Sequence, residues 1–389
     1  MTYTDPNSGL TESLRPVVSS TGAVVQFHTS AGIVYQIQAH VLPYLTGSVY
    51  LAPSEDGWVL IDSGCGDSTS NADLERGFEI VRGEFDASFK IEKIRRVVLT
   101  HAHVDHFGGV YEWSRRCGAE VWVHAFESRL VNSYDTCARV ENLRYERFLL
   151  EAGVPSEDVQ PILDGFGFRP GRVREAEVSR KLYGGETFGA MKFLYLPGHS
   201  SGHLAILFGD VVFSGDLLLS KTLTQIWPTR MTPQTGALNY IFSLKKLEKI
   251  AISFEVRFGK KLTALPAHEE PIEDIPRRVE TVLRGTERRN QRLTTVLRDS
   301  ETPLSLLELT RKMYWNGRPN REFFALSDVG SRVELLLQLG LLEIVDSERL
   351  TRESPVLRYR TLFSNAETTE NTVQQVLRMY LACYDSDTI

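Results

Sequence analysis

The sequence predicts an α/β fold, because strands and a helix alternate on the way to a polar segment. Two apolar segments, 58–61 and 94–99, have the composition of buried strands. Between them, residues 70–83 place apolar side chains at helical spacing. A histidine-rich segment follows the second strand directly. The strand–helix–strand order therefore predicts a rigid sheet that presents a functional loop.

The remaining elements follow the same patterns along the chain. Three strands at 24–27, 34–37 and 49–52 are predicted to begin the sheet. A Gly209–Asp210 pair between two apolar segments is typical of a hairpin. The later predicted strands are 120–124, 191–196, 205–208, 211–213 and 262–265, and the later predicted helices are 138–152, 156–163 and 239–250.

The segment after the second strand holds three histidines and an aspartate within six positions. His101 and His103 lie two positions apart, so in an extended segment they point the same way and can bind one ion together. Asp105 and His106 follow closely enough to bind a second ion. Imidazole nitrogens with a carboxylate favour zinc or another first-row divalent ion over calcium or magnesium. The alternative is a solvated histidine-rich loop, which the strand end and the following glycine pair disfavour.

The spacing of these residues resembles the HxHxDH motif of the metallo-β-lactamase superfamily. Three later segments resemble further ligand segments of that family and come in the family's order: 197–203, 213–216 and 265–268. The resemblance covers about two thirds of the chain. It implies a four-layer αβ/βα sandwich and a metal-dependent hydrolase, and we place the chain nearest the glyoxalase II-like branch.

The resemblance also implies which side chains bind metal. One ion would be bound by three histidines, a second by an aspartate and two histidines, and one more aspartate would bridge them. In that order, the implied ligands are His101, His103 and His199, then Asp105, His106 and His268, then Asp216. Two zinc ions are expected, with iron or manganese as alternatives.

Two further residues are expected to support the ligands. Asp62 ends the strand at 58–61 and resembles an aspartate that lies beneath the metal site in the family. Its role would be to orient a ligand histidine, and the alternative is an ordinary turn aspartate. His203 lies in the same loop as His199. We expect it to support that loop, with direct metal binding as the alternative.

Two ions about 3.5–4 Å apart can share a hydroxide, because each lowers the pKa of bound water toward ~7. Asp105 is expected to accept or relay a proton during the reaction. His103 stands where the redox diiron flavoproteins of the family carry glutamate, which favours hydrolysis over electron transfer. Asp216 stands where one class of true β-lactamases carries cysteine, which argues against that type of antibiotic cleavage.

A region at about 125–183 is longer than the minimal family scaffold requires and is predicted to form a helical cap over the site. Its aromatic side chains would either line a substrate pocket or pack in the interior. The segment 217–233 leaves the bridging aspartate and offers further candidates. The candidate substrate contacts are Tyr134, Phe166, Phe168, Lys221, Trp227 and Arg230.

We divide the chain into a catalytic domain at 1–272 and a second part at 273–389. The second part is predicted to hold a linker helix, a small winged-helix-like domain and a C-terminal helix. It resembles the domain appended to a branch of the superfamily that includes endoribonucleases and thioesterases. Its arginines could contact phosphates, but acidic residues are interleaved with them, so packing or homodimer formation is favoured over nucleic-acid binding. These arginines are Arg288, Arg289, Arg292, Arg298, Arg311 and Arg332.

Charge and composition set limits on partners and location. The formal net charge of -6 gives no support for binding to nucleic acid along the whole chain or to an anionic membrane. The four cysteines are scattered, which disfavours a disulfide framework. The N-terminus lacks a basic-then-apolar signal, and no apolar segment reaches the roughly 20 residues that cross a bilayer. We therefore expect a cytoplasmic protein without membrane attachment.

Three functions remain open from the sequence. Hydrolysis of a thioester, ester or lactone of a small molecule is favoured, because a capped cleft suits a small substrate. Phosphodiester cleavage by an endoribonuclease is the first alternative and would require an open, basic cleft. A non-catalytic binding protein that retains the fold is the second alternative, which the full ligand set disfavours.

Overall fold

The computed structural model describes residue 14 and residues 16–314, 322–345, 347–350, 355–362, 374–376 and 378–379. The first sheet has eight strands that lie side by side in chain order. Neighbouring strands are antiparallel from β1 to β5 and parallel from β5 to β8. These strands are β1 Val17–Val18, β2 Val24–Thr29, β3 Gly32–Leu42, β4 Leu45–Ser54, β5 Gly57–Ile61, β6 Ile94–Val98, β7 Glu120–His124 and β8 Arg180–Leu182.

Helices make the parallel connections of this sheet. Helix α1, Ser68–Ile80, joins β5 to β6, and the Asp67 side chain caps it by accepting a hydrogen bond from the backbone N–H of Ser70 (2.8 Å). A π-helical turn continues α1 to Phe85, so the helix predicted at 70–83 is confirmed with shifted ends. Helices α2, Val104–Phe107, and α3, Val110–Cys117, join β6 to β7.

The second sheet has five strands in the order β13-β12-β11-β10-β9. Only β12 and β13 run parallel, and helix α7, Ala237–Phe258, connects them. Helix α8, Ile275–Arg298, follows β13 and packs against α7. The strands are β9 Thr187–Phe188, β10 Met191–Tyr195, β11 Leu204–Phe208, β12 Val211–Gly215 and β13 Thr263–Pro266.

The two sheets pack face to face through one apolar cluster. Phe27 and Ile61 of the first sheet share it with Phe193, Ile206 and Phe213 of the second. Full burial stabilises each such side chain by roughly 1.5–3 kcal/mol relative to exposure. A second cluster packs α1 and α3 on the outer face of the first sheet, and a third packs α7 and α8 on the outer face of the second. The layers are therefore helix, sheet, sheet, helix, which fits the sandwich expected from the sequence.

Two further groups of elements pack beside the sandwich. The region predicted as a cap forms helices between β7 and β8, and the C-terminal part forms a three-stranded sheet in the order β14-β16-β15 with two helices. The first group is α4 Ser128–Asn132, α5 Tyr134–Ala152 and α6 Ser156–Phe166, and the second is β14 Leu304–Ser305, α9 Leu306–Tyr314, α10 Glu322–Gln338, β15 Leu342–Val345 and β16 Arg358–Thr361.

These two groups share a single hydrophobic core. Phe148 and Leu163 from the inserted helices pack with Leu309 and Phe323 from the C-terminal part. Helix α8 spans two cores, because its first half packs with α7 and its second half joins the shared core. Hydrophobic packing therefore crosses residue 272, where we divide the chain from its sequence. Packing between segments more than 100 residues apart is not visible in a local sequence pattern.

Of the predicted C-terminal helix at 373–381, residues 374–376, 378 and 379 are described and helical, and residues 373, 377, 380 and 381 lie outside the described residues. Val376 is buried in the cluster of α7 and α8. Within the described ranges, no helix is both long enough and apolar enough to cross a membrane.

Candidate metal centre

The ligands expected from the sequence lie on loops that leave the same side of the sandwich. His101 and His103 follow β6, and His199 follows β10. Asp216 and His268 follow β12 and β13, which end together because they are parallel. A backbone hydrogen bond from Leu204 N–H to the carbonyl of residue 100 (2.8 Å) joins the loops of the two sheets. The fold therefore brings together residues that are up to 167 positions apart in sequence, from 101 to 268.

Three histidines form the first group. The Nε2 atom of His101 lies 3.0 Å from Nδ1 of His103 and 3.2 Å from Nε2 of His199. One nitrogen from each ring lies within 4.8 Å of the other two. His101 and His199 are buried, and His103 is partly exposed. This geometry lets three imidazole nitrogens converge on one point.

Asp105, His106 and His268 form the second group. The Oδ2 atom of Asp105 lies 3.4 Å from Nε2 of His268 and 3.6 Å from Nε2 of His106. Both Asp105 and His106 come from the short helix α2, which places them against the histidine that follows β13.

Asp216 lies between the two groups. Its Oδ2 atom is 3.6 Å from Nε2 of His199 in the first group and 3.5 Å from Nε2 of His106 in the second. Its Oδ1 atom is 3.6 Å from Nε2 of His268. One carboxylate therefore reaches nitrogens of both groups, as a bridging ligand would.

Unpaired buried atoms provide a test of whether these residues fit metal ions. Nε2 of His106 and Oδ1 of Asp216 are buried and have no hydrogen-bond partner among the described residues. Such atoms are costly unless something binds them. Their chemistry, an imidazole nitrogen and a carboxylate oxygen, matches zinc and similar first-row ions. The residues present therefore fit a metal centre.

The ring nitrogens that face away from the centre are held by hydrogen bonds. Nδ1 of His106 lies 3.0 Å from Oδ2 of Asp62, and Nδ1 of His199 lies 2.8 Å from the carbonyl of Gln225. Nδ1 of His268 lies 2.8 Å from the carbonyl of Thr46. Such bonds fix the ring orientation and leave the opposite nitrogen free for a metal. Gln225 and Thr46 act through their backbone, so their residue types gave no signal.

Asp62 occupies a strained position beneath the centre. Its φ of 63° is in the left-handed region that few non-glycine residues adopt. Besides its contact with His106, its Oδ1 atom accepts a hydrogen bond from the backbone N–H of Thr100 (2.7 Å). Asp62 therefore turns the chain and also contacts a candidate ligand.

His203 contacts the backbone of the bridging aspartate. Its Nε2 atom accepts a hydrogen bond from the N–H of Asp216 (3.1 Å), while its Nδ1 atom has no partner in the described part of the chain. Its ring lies 5.1 Å from the ring of His101, centre to centre. Within the described ranges it belongs neither to the two groups nor to the third convergent set, which consists of His101, His106 and Asp216.

The glycine pair after His106 is required by close packing. A Cβ atom on Gly108 would lie 2.1 Å from the carbonyl oxygen of Cys65, and one on Gly109 would lie 2.2 Å from that of Ser63. Neither glycine has a positive φ, so close approach of two backbones, rather than a special turn, explains the pair.

The six candidate substrate contacts are mostly engaged in packing or ion pairs. Tyr134 is 0% exposed and packs between Phe107 and Phe168, so it fills the core and does not face a pocket. Phe166, Phe168 and Trp227 pack against the shared core. Lys221 pairs with Glu270 (Nζ–Oε1, 2.5 Å), and Arg230 pairs with Glu151. Packing, the alternative from the sequence, accounts for the aromatic residues.

The histidines of the two groups differ in pKa. Burial and the charge of neighbouring histidines lower the pKa of His103 to about 3, and burial lowers the pKa of His101 and His199. In the second group, burial alone lowers the pKa of His268, but the carboxylates of Asp216 and Asp105 outweigh it and raise the pKa to about 8. The same carboxylates raise the pKa of His106.

Metal binding to the second group is therefore expected to be more sensitive to acid. Below pH 8 a metal ion must displace protons from His268 and from His106, whose pKa is also raised, so its affinity should fall at least tenfold per pH unit. The first group has no proton to displace at neutral pH, so its affinity should stay nearly constant from pH 8 to 6. Competition titrations with a coloured chelator at both pH values test this. A parallel loss of both ions would contradict it.

A family model described as the Metallo-beta-lactamase superfamily matches residues 42–254, more than half of the chain. The chain is similar to the Bacillus subtilis protein named "Probable metallo-hydrolase YqjP", with 23% identity over 308 residues that cover 76% of this chain and 89% of the relative.

Two further relatives match a shorter part. The human protein named "Acyl-coenzyme A thioesterase MBLAC2" is 27% identical over 169 residues, 41% of this chain and 55% of the relative. A hydroxyacylglutathione hydrolase of Shewanella pealeana is 25% identical over 159 residues, 41% of this chain and 46% of the relative. The match therefore spans about half the length of these two relatives.

Solved structures show the same fold. A metallo-beta-lactamase family protein from Thermus thermophilus superposes with a TM-score of 0.65 and 22% identity, over 84% of this chain and 98% of that chain. A beta-lactamase domain protein from Burkholderia ambifaria gives a TM-score of 0.64 and 20% identity, over 86% of this chain and 93% of that chain.

Proposed function

The chain belongs to the metallo-beta-lactamase superfamily and is a metallo-hydrolase, and we propose that it hydrolyses a thioester, ester or lactone of a small molecule with two divalent ions, most simply zinc. The observation that carries the two-ion proposal is the position of Asp216. Its carboxylate lies within 3.6 Å of histidine nitrogens from both groups. A single-ion site would not need an acceptor shared in this way.

We assign the proposed ligands to two ions according to the two groups. His101, His103 and His199 would hold one ion, Asp105, His106 and His268 would hold the other, and Asp216 would contribute to both. Divalent ions held there would supply Lewis-acid polarisation of the substrate and a lowered pKa for water at neutral pH.

The chain's own residues orient the ligands and move the proton. Asp62 and the backbone of Gln225 hold the rings of His106 and His199. Asp105 is partly exposed, and we assign it the role of accepting the proton of the attacking water. His203 keeps the backbone of Asp216 in place.

The C-terminal part supports a small-molecule substrate over RNA. Its elements follow the order helix, strand, two helices and two strands, and we propose that it is a winged-helix unit. Helix α10 takes the position of the helix that enters the DNA groove in such units. Here α10 is buried against the catalytic part, where Gly330 packs on Pro228 and Phe148. A buried helix cannot read nucleic acid, so this unit packs on the enzyme.

The arginines that could contact phosphates are largely paired with acids. Arg298 pairs with Asp299 (Nε–Oδ1, 3.1 Å), and Arg311 pairs with Glu322 (Nε–Oε1, 2.7 Å). Arg289 and Arg332 both contact Asp328. These pairs weaken the positive field that RNA binding requires. Homodimer formation through this unit stays a prediction.

The similar proteins support a thioester as the bond that is hydrolysed. Two of the similar proteins are named for hydrolysis of a thioester, of acyl-coenzyme A or of hydroxyacylglutathione. The C-terminal part contacts a residue that holds a ligand ring: the side chain of Gln225 donates a hydrogen bond to the carbonyl of Phe324 (3.2 Å), and the carbonyl of Gln225 holds the ring of His199. The ring of Phe324 lies 6.1 Å from that of Trp227, centre to centre.

A parallel assay tests the proposal. The zinc-loaded protein is offered acyl thioesters, aryl esters, lactones and single-stranded RNA under the same conditions. We expect turnover of at least one of the first three classes, its loss after chelation and its return with zinc. Cleavage of RNA alone would support the phosphodiester alternative. Turnover that survives complete metal removal would contradict the metal-dependent mechanism.

A further inference from the structure

Glu127 is a buried carboxylate that the sequence analysis did not single out. It lies in the turn after β7 and is 2% exposed. Its Oε2 atom accepts a hydrogen bond from the backbone N–H of Ala102 (2.5 Å), and its Oε1 atom accepts one from the N–H of Gly202 (2.7 Å). Hydrogen bonds from N–H groups to an ionised carboxylate are about twice as strong as neutral ones.

These two N–H groups belong to the two loops that carry the first group of ligands. Ala102 lies between His101 and His103, and Gly202 is three residues after His199. The loops leave strands of different sheets, β6 and β10. One side chain therefore spans the gap between the sheets at the point where three histidines must converge.

The backbone of Glu127 is itself held in place. Its N–H donates to the carbonyl of His124 at the end of β7 (3.0 Å), and its carbonyl accepts from the N–H of Leu130 in α4 (3.0 Å). The space around the second loop is also tight, because a Cβ atom on Gly202 would lie 2.9 Å from Cγ of Glu127. The carboxylate has little freedom to follow the loops if they move apart.

We propose that Glu127 is a positioning residue that sets the spacing of the two loops and thereby the affinity for the ion bound by His101, His103 and His199. This inference rests on the ligand assignment in the proposed function. Glu127 touches none of the three rings by hydrogen bond; it acts through the backbone between and beside them. Among the described residues, the second group makes no hydrogen bond with Glu127, so we expect the larger effect on the ion of the first group.

Glu127→Gln tests the role with little change in size. A glutamine has one acceptor oxygen, and its NH2 group would face a backbone N–H, so one of the two loop contacts is lost. In a His268→Ala background, which removes a ligand of the second group, a cobalt(II) titration followed by visible absorption reports the first ion alone. We expect Glu127→Gln to lower the affinity for that ion by about 10–100-fold, which is the effect typical of residues that orient metal ligands.

Asp210→Asn provides a matched control. Asp210 is also buried, at 3% exposure, and its Oδ1 atom also joins the two sheets by accepting from the N–H of Ser30 (2.8 Å). It precedes β12, whereas Asp216 follows that strand, so it lies at the far end from the metal centre. Asp210→Asn keeps an acceptor oxygen for the N–H of Ser30, so it removes a buried carboxylate at little cost in stability, and only Glu127→Gln should lose cobalt affinity.

The other outcomes would overturn either the positioning role of Glu127 or the ligand assignment. Equal cobalt affinity in Glu127→Gln and Asp210→Asn would reduce Glu127 to a structural residue. If Glu127→Gln does not fold, Glu127→Asp keeps the charge but shortens the side chain by one methylene. That variant must also lower the affinity for the ion of the first group, and an unchanged affinity would overturn the positioning role. If the His268→Ala protein with Glu127 intact binds no cobalt, the ligand assignment itself fails.

Discussion

Asp216→Ala is expected to lose most of the bound metal and to slow hydrolysis by about 1000-fold. The carboxylate lies within 3.6 Å of nitrogens from both histidine groups, so its removal deprives each ion of a ligand. Loss of ~4 kcal/mol of transition-state stabilisation, within the several kcal/mol that a metal ion supplies, corresponds to about this factor in rate. Metal analysis and steady-state kinetics on the best substrate measure the two effects.

Asp210→Ala serves as the control for this variant. It removes a buried carboxylate from the opposite end of the same strand, and it should keep the metal content and the rate of the unchanged protein. Full metal content in Asp216→Ala would contradict the bridging role of Asp216.

Asp328→Ala is expected to lower the free energy of unfolding by about 3–5 kcal/mol, because it leaves a buried charge without its partner. Arg332 is 2% exposed, and its Nε and Nη2 atoms donate to the two carboxylate oxygens of Asp328 (3.1 and 2.9 Å). Arg289 and the hydroxyl of Tyr314 donate to the same carboxylate. This network ties α8, α9 and α10 together.

Urea unfolding at neutral pH measures the loss. A double variant, Asp328→Leu with Arg332→Met, should recover most of it, because removal of both charges is far less costly than removal of one. Burial alone would raise the pKa of Asp328, but the charge of Arg332 outweighs it and lowers the pKa. The stabilisation should therefore fade as pH falls below ~4, the range of an unfolded aspartate. A loss below about 1 kcal/mol at neutral pH would contradict a buried, desolvated pair.

The sequence could predict the convergent residues because their signal is local. His101, His103 and His106 lie within six positions at the end of an apolar strand. His199, Asp216 and His268 each follow another apolar strand, and the family resemblance connected them. Apolar strands can be recognised in the sequence, and so the histidines and aspartates that directly follow them can be recognised as candidate ligands.

Contacts made through the backbone or across long sequence distances could not be predicted. Glu127 is an isolated glutamate after β7, and its partners are 25 and 75 residues away. Gln225 and Thr46 hold ligand rings with carbonyl groups that every residue type has. The shared core of the inserted helices and the C-terminal part could not be predicted either. The pattern of an amphipathic helix shows which face is apolar but not which partner covers that face.

Metal stoichiometry of the purified, zinc-loaded chain tests the two-ion centre most directly. After dialysis at pH 8 to remove loosely bound metal, elemental analysis should find two zinc ions per chain. Anomalous diffraction should place one among His101, His103 and His199 and the other among Asp105, His106 and His268, with Asp216 between them. One ion per chain, or two ions at other residues, would contradict the account.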